Sequence, residues 1–311
     1  LFFTEQANSA CLGADDLNMA RISHDPYDSP PLRGLGPVQG TLRVFVALQC
    51  WGYAAAHLHF GAQSAMARVL EREFFIPAGD TRLLDLGAAV ALAVAGMSCL
   101  LRPAWPILVG VFVGQLAFVG SKAWLAEAGH PVLILMQHAA MLCSPILLAC
   151  ADMWPAKPKF SLGFWIAITY LMRLSICSSL IGMGLQSILD SHTPGELLRV
   201  ATGTLLTLTR ESPSTATAQS ALCIAGALQF GLGLTLLLSR SRPAASLATI
   251  VGFLTAASYS LGMGIAGYPR TLTHLILAGI PAALGLFWMN AIQEGEFSYI
   301  PDRTALRSAS H

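Results

Sequence analysis

Long apolar runs, broken at intervals by charge, proline or glycine, dominate the chain. A membrane helix needs about 20 mainly apolar residues, and eight runs qualify: 42–60, 83–101, 104–121, 131–150, 162–185, 218–238, 245–265 and 271–291. They predict helices, because a barrel shows alternating segments of about ten residues. The second run closes at Leu101, before Arg102-Pro103, and the third opens a few residues later, which predicts a tight antiparallel hairpin. The expected fold class is an all-α membrane protein with eight transmembrane helices, arranged as two parallel four-helix repeats for reasons given below.

Two stretches between the runs, 61–82 and 191–216, mix polar and apolar positions. In the first, Met66, Val69, Leu70 and Phe74 fall near one helical face, with Arg68, Glu71 and Arg72 turned away. In the second, Pro194 precedes Glu196, Leu197, Leu198, Arg199 and Val200. Both read as amphipathic segments on the outer interface, with an ordinary ordered loop as the alternative.

Composition agrees with the pattern. Hydrophobic residues make up 54% and charged residues 11%, less than half of the ~25% typical of soluble domains. Mean hydropathy is +0.60. Lys and Arg number 18 against 17 Asp and Glu, so no basic excess exists to bind nucleic acid. Residues 1–40 are polar and rich in Pro, Gly and Asp, without the apolar core of a signal peptide. They read as a flexible N-terminal segment, followed by membrane repeats at 41–155 and 160–292 and a polar tail at 293–311. Met19 opens a plausible soluble lead-in, with residues 1–18 read as upstream sequence. Of the seven cysteines, none forms a C-x-x-C pair and six lie in apolar runs, where the thiol behaves as a small hydrophobe. A modest excess of Lys and Arg, including Arg43, Arg102, Lys157, Lys159, Arg240 and Arg242, falls on the side of both termini. That side is read as cytoplasmic, in a plasma or inner membrane.

The runs repeat. Arg43 precedes Gly52 as Arg173 precedes Gly182, at an offset of 130. Arg102-Pro103 answers Arg242-Pro243 at 140, Ala128-Gly129-His130-Pro131 answers Ala266-Gly267-Tyr268-Pro269 at 138, and Pro145 answers Pro281 at 136. Four matches in order point to a duplicated unit, and a unit of four spans returns the chain to its starting side, giving parallel repeats.

The Arg-x8-Gly helix, the outer segment with Pro194-Gly195, the helix from Ala221 to Leu238 with Gly226, Gly231 and Gly233, and the hairpin 245–291 together resemble a DoxX-like four-helix membrane module. The match covers 162–291 best and 42–150 more loosely, because the first half has fewer glycines and a more charged outer segment. The resemblance implies an accessory or quinone-interacting subunit of a membrane redox system, with other redox subunits and the lipid bilayer as partners, and no enzyme activity on its own. A related family, similar to the membrane part of vitamin K-dependent carboxylases, lacks support from any catalytic motif here.

Ionisable groups inside a span are functional candidates by default. Arg173 sits about eleven residues into an apolar run. It reads as a ligand contact, a snorkelling anchor or a tie to another helix, with carbonyls or polar groups near Gln229 or Tyr259 as expected partners. His57, His59, His138 and His274 gather by depth in the outer half, with Gln137 beside His138. Imidazoles there can contact a proton or quinone, ligate haem iron or a metal, or anchor helices; no cofactor follows from the residues alone. Gln49, Gln115 and Gln229 are expected to hydrogen-bond between helices, and Gly110-x3-Gly114 to pack within the chain. Trp51, Trp105, Trp154, Trp165 and Trp288 fall near span ends, as an aromatic belt places them. No nucleotide-binding, metalloprotease or nucleophile-elbow motif occurs. A small-molecule transporter with parallel repeats and a structural membrane subunit are the competing functions.

Overall fold

The computed structural model describes residues 35–126, 131–152, 162–192 and 195–293. The N-terminal lead through residue 34, residues 128–130, Trp154, the Lys157 and Lys159 loop, Pro194 and the tail from residue 294 lie outside the described residues. Every regular element among the described residues is helical. The first half holds α1 (Leu35–Leu58), α2 (Ala65–Phe74), α3 (Ala78–Leu101), α4 (Trp105–Trp124), α5 (Pro131–Gln137) and α6 (Ala139–Ala151). The second holds α7 (Leu162–Asp190), α8 (Glu196–Thr209), α9 (Thr215–Leu238), α10 (Arg242–Met263), α11 (Tyr268–His274) and α12 (Ile276–Gln293). A 3₁₀ turn, Gly264–Gly267, joins α10 to α11. Residues 35–40, read from sequence as part of the flexible lead, belong to α1.

Five stretches are long and apolar enough to cross a membrane: Ala78–Leu101, Trp105–Trp124, Phe164–Asp190, Thr215–Leu238 and Arg242–Met289. The pair α5 and α6, bent by 45°, makes a sixth when taken as one. The eight apolar runs exceed this number for two reasons. α1 carries Gln39, Thr41, Arg43 and Gln49 and is less apolar than the others. The 48-residue stretch Arg242–Met289 contains two runs that pack against each other. A Cβ on Gly252 of α10 would stand 2.6 Å from the backbone of Leu277 and Ala278 in α12.

Local chemistry sets the helix ends. Ser64, Ser214 and Ser241 cap α2, α9 and α10 by accepting a backbone N–H with the side chain. Pro106 and Pro243 occupy the first turns of α4 and α10, where no N–H is missed. The two short helices stop alike, on a non-glycine residue in the left-handed region: Phe75 after α2 (φ 54°) and Arg210 after α8 (φ 59°). Met66, Val69 and Leu70 are half-buried on α2, but Phe74 points outward, and the closest packing is through Ala65 and Ala67.

The first helix of each half lies against the last, broken helix of the other half. A Cβ on Gly52 of α1 would stand 2.6 Å from the Pro269 carbonyl oxygen and 2.7 Å from the Thr273 nitrogen. A Cβ on Gly182 of α7 would stand 2.7 Å from the Gln137 nitrogen. Only glycine admits backbone this close. The break between α5 and α6 follows from these contacts. The Ala140 N–H leaves the helix ladder and donates to Ser179 Oγ of α7 at 2.8 Å, and such an insertion kinks a helix. Pro145, seven residues on from His138, cannot donate to the Met141 carbonyl; Gln49 Nε2 (3.1 Å) and Ser144 Oγ (3.0 Å) donate to it instead.

At one end of the bundle, arginines and a glutamine meet helix C-termini. Gln39 donates to the Ala151 carbonyl of α6 (2.8 Å), Arg43 to Leu100 of α3 (3.5 Å) and Arg242 to Trp288 of α12 (3.0 Å). Arg43 also forms an ion pair with buried Asp152. Arg43 meets the negative pole of α3 and satisfies an orphan carbonyl, whereas Arg242 reaches α12 more than a turn before its end.

Two expectations are corrected. A Cβ on Gly110 or Gly114 would meet nothing within 4 Å, so this pair does not bring helices together within the chain. Trp165 and Trp288 are buried rather than placed in an aromatic belt. The packing makes a prediction: Gly182→Val should lose roughly 1–3 kcal/mol to overpacking, read as a lower unfolding midpoint in detergent, whereas Gly110→Val should leave the midpoint unchanged.

Candidate functional site

At the opposite end of the bundle, α4 presents Gln115, Phe118 and Lys122 at spacings of three and four residues, along one helical face. Phe118 stacks on Tyr53 (centroids 5.7 Å) and on His57 (5.9 Å), both from α1. One turn further on, the Lys122 ammonium lies 3.5 Å from His138 Nε2 at the α5–α6 break. His138, Lys122 and Arg270 are within electrostatic reach of His274 on α11. The Tyr259 ring of α10 packs on His274 at 4.5 Å.

The three histidines share one hydrogen-bonding habit. Nδ1 of His138 donates to the Ile134 carbonyl (2.9 Å), Nδ1 of His274 to the Arg270 carbonyl (2.8 Å), and Nδ1 of His57 to the Ala62 carbonyl (2.6 Å). A carbonyl only accepts, so Nδ1 carries the proton and Nε2 keeps its lone pair in the neutral ring. For His138 that lone pair faces the Lys122 ammonium, which has no carboxylate partner among the described residues. His138 and His274 each precede a proline by seven residues, Pro145 and Pro281, and each sits where its helix breaks.

Buried amides divide into satisfied and orphaned. Gln49 donates to the Met141 carbonyl and accepts from Ser144 Oγ (2.8 Å), whereas Gln229 is half satisfied: its nitrogen donates to Thr255 Oγ1 (2.8 Å) and its oxygen finds no partner among the described residues. Gln115 is wholly buried, and neither its oxygen nor its nitrogen has a partner among the described residues. Leaving such a group unpaired costs about 1–3 kcal/mol, which marks a place where a further polar group belongs.

The expected site residues thus separate. His57, His138 and His274 come together around Phe118 and Lys122. Gln137 lends its backbone to the Gly182 contact. Arg173 lies at the arginine end of the bundle, donating to the Leu236 and Leu237 carbonyls of α9 at 2.5 and 2.7 Å. These are carbonyls of the second half, but about two turns beyond Gln229. Lys122 and Phe118 were not singled out from sequence, because a lysine closing an apolar run looks like an interfacial anchor.

Haem does not fit these residues. Iron needs a bare Nε2, but the Lys122 ammonium faces that atom of His138, and the Tyr259 ring lies against His274. No three His, Cys, Asp or Glu side chains among the described residues come together as metal ligands. A quinone head group does fit the donor set: an ammonium and an orphaned amide for its carbonyl oxygens, beside the Phe118 and Tyr53 rings.

Comparison with known proteins finds no matching family model, no matching curated protein and no matching solved structure.

The Arg173 geometry is testable. Arg173→Leu should lower stability by roughly 1.5–3 kcal/mol for each charge-assisted bond lost, and Arg173→Lys should recover part of it, both read from unfolding midpoints in detergent. An unchanged midpoint in Arg173→Leu would mean that the side chain merely snorkels.

Proposed function

We infer that this is a multi-pass membrane protein of DoxX-like type, a quinone-interacting or accessory subunit of a membrane redox system. Its chain crosses the bilayer eight times as two parallel four-helix repeats, with both termini cytoplasmic. Several observations support the repeat. Arg43 and Arg173, at offset 130, each reach the last carbonyls of the second long helix in their own half, α3 and α9. Gly52 and Gly182, at the same offset, each meet the broken helix of the other half, at Thr273 and Gln137, which are 136 apart. His138 and His274 are also 136 apart. Contacts at the two ends give α1, α4, α7 and α10 one direction and α3, α5–α6, α9 and α11–α12 the other.

The observation that carries the functional reading is one face of α4, buried at Gln115 and Phe118 and open at Lys122. Among the described residues, Gln115 offers a buried amide without a partner, and Lys122 offers an ammonium that rests on the His138 imidazole and on no carboxylate. When bound, a quinone supplies a two-electron, two-proton couple. Lys122 and Gln115 would hold its carbonyl oxygens by hydrogen bonds, and Phe118 and Tyr53 would offer their rings to its head group. A second reading, a transporter with parallel repeats, draws on the two helix breaks near His138 and Leu275, since broken helices line transport sites.

Titration of the purified protein with a short-chain benzoquinone, followed by tryptophan fluorescence, tests the first reading. Saturable binding is expected, with Lys122→Met and Gln115→Leu each weakening it by about tenfold, or ~1.4 kcal/mol. Wild-type affinity in both variants, or no saturable binding by the parent, would contradict it.

A further inference from the structure

Beyond the histidine site, a cleft of about 450 Å³ opens between α2 and the end of α4, lined by Arg68, Glu71, Arg72 and Leu125. We propose that this cleft binds the phosphate head group of an anionic phospholipid in the leaflet at the histidine end of the bundle. The inference does not rest on quinone binding.

Charge comes first. Glu71 is engaged by the Thr81 hydroxyl, which donates to it at 2.5 Å. Glu73 lies 3.6 Å from Arg72. Arg68 is exposed, has no carboxylate partner among the described residues, and acts electrostatically on Lys122, which likewise has none among them. One cation without a carboxylate partner among the described residues, Arg68, therefore lines the cleft, and a second, Lys122, stands on the helix that ends at it. A phosphate complements them, and an arginine fork suits its oxygens.

The surroundings are those of an acyl-chain boundary. Trp124, at the end of α4, is 70% exposed. At the end of α2, Phe74 is 67% exposed, and Phe75, just after it, is 87% exposed. Phe75 holds a left-handed backbone (φ 54°) that a bulky residue adopts only under constraint. That cap turns two consecutive phenylalanines outward beside Arg68 and Arg72. In water such an arrangement is a liability; at a lipid interface it sinks aromatic rings below the head groups while the arginines stay among them. A soluble anion would use the same cations but would gain nothing from the exposed rings, so the lipid source is favoured.

The full-length protein is reconstituted in nanodiscs of phosphatidylcholine with and without phosphatidylglycerol, and its unfolding midpoint and retained lipid are measured. The midpoint should rise with phosphatidylglycerol, and native mass spectrometry should find one retained copy per chain. Arg68→Gln should weaken that retention by roughly tenfold, the worth of one charge-assisted hydrogen bond. A second measurement needs no charge variant. Brominated phosphatidylglycerol should quench Trp124 fluorescence more than brominated phosphatidylcholine does at equal mole fraction, with Trp124→Phe as the blank. Equal quenching by the two lipids would overturn the proposal. Full retention by Arg68→Gln would overturn it too. So would a midpoint rise produced equally by millimolar glycerol phosphate in pure phosphatidylcholine, which would mean a soluble anion site.

Discussion

Two glycines set the distance on which the rest of this structure depends. Gly52 and Gly182 let α1 and α7 lie directly on the backbones of α11 and α5. In lipid, helices gain little from hiding apolar surface, so close van der Waals approach and hydrogen bonds across helices decide which pairs form. The close approach then delivers Ser179 to the Ala140 amide and holds α5 and α6 bent at His138. The bend turns His138 toward α4, where Lys122 meets it. A packing contact in one half thus shapes the polar site of the other.

The two ends of the bundle solve different electrostatic problems. At one, α3, α6, α9 and α12 present C-terminal carbonyls, and Gln39, Arg43, Arg173 and Arg242 close them. Intramembrane arginine costs about 2.5–3.5 kcal/mol at a helix centre, and this cost is offset where the guanidinium finds a helix dipole and two carbonyls. At the other end, the cations are only partly matched. Arg270 pairs with Glu196, while Lys122 rests on an imidazole. Two cations there, Arg68 and Lys122, are left without a carboxylate among the described residues, close to aromatic rings where a polar ligand or a lipid head group has something to bind.

Much of the helical plan was legible in the sequence, since apolar runs, prolines and capping serines act locally. The break at His138 was not, although Pro145 was read as a mark inside that run. Its cause, Ser179 and Gly182, belongs to a different helix. The histidines could be placed by depth alone, and three of them do gather. Lys122 and Gln115 could not be read the same way. A lysine at a run's end and a buried glutamine each have ordinary roles, and Gln49 plays the ordinary role in full. Only the neighbours show that Gln115 lacks a partner. Arg173 illustrates the converse: its depth was evident, but the carbonyls it meets depend on where α9 ends against α7.

The crossing of α1 onto α12 is the most direct handle on this account. A Cβ on Gly279 would stand 2.6 Å from Phe45 Cβ, so the two positions are close enough to join. Phe45→Cys and Gly279→Cys are combined in a chain whose other cysteines are replaced, with a protease site inserted between the halves. After oxidation in the membrane and cleavage, the two fragments should migrate as one species on a denaturing gel and separate on reduction. Fragments that separate without reductant would show that α1 does not lie on the broken helix of the second half, and the interlocked architecture would be wrong.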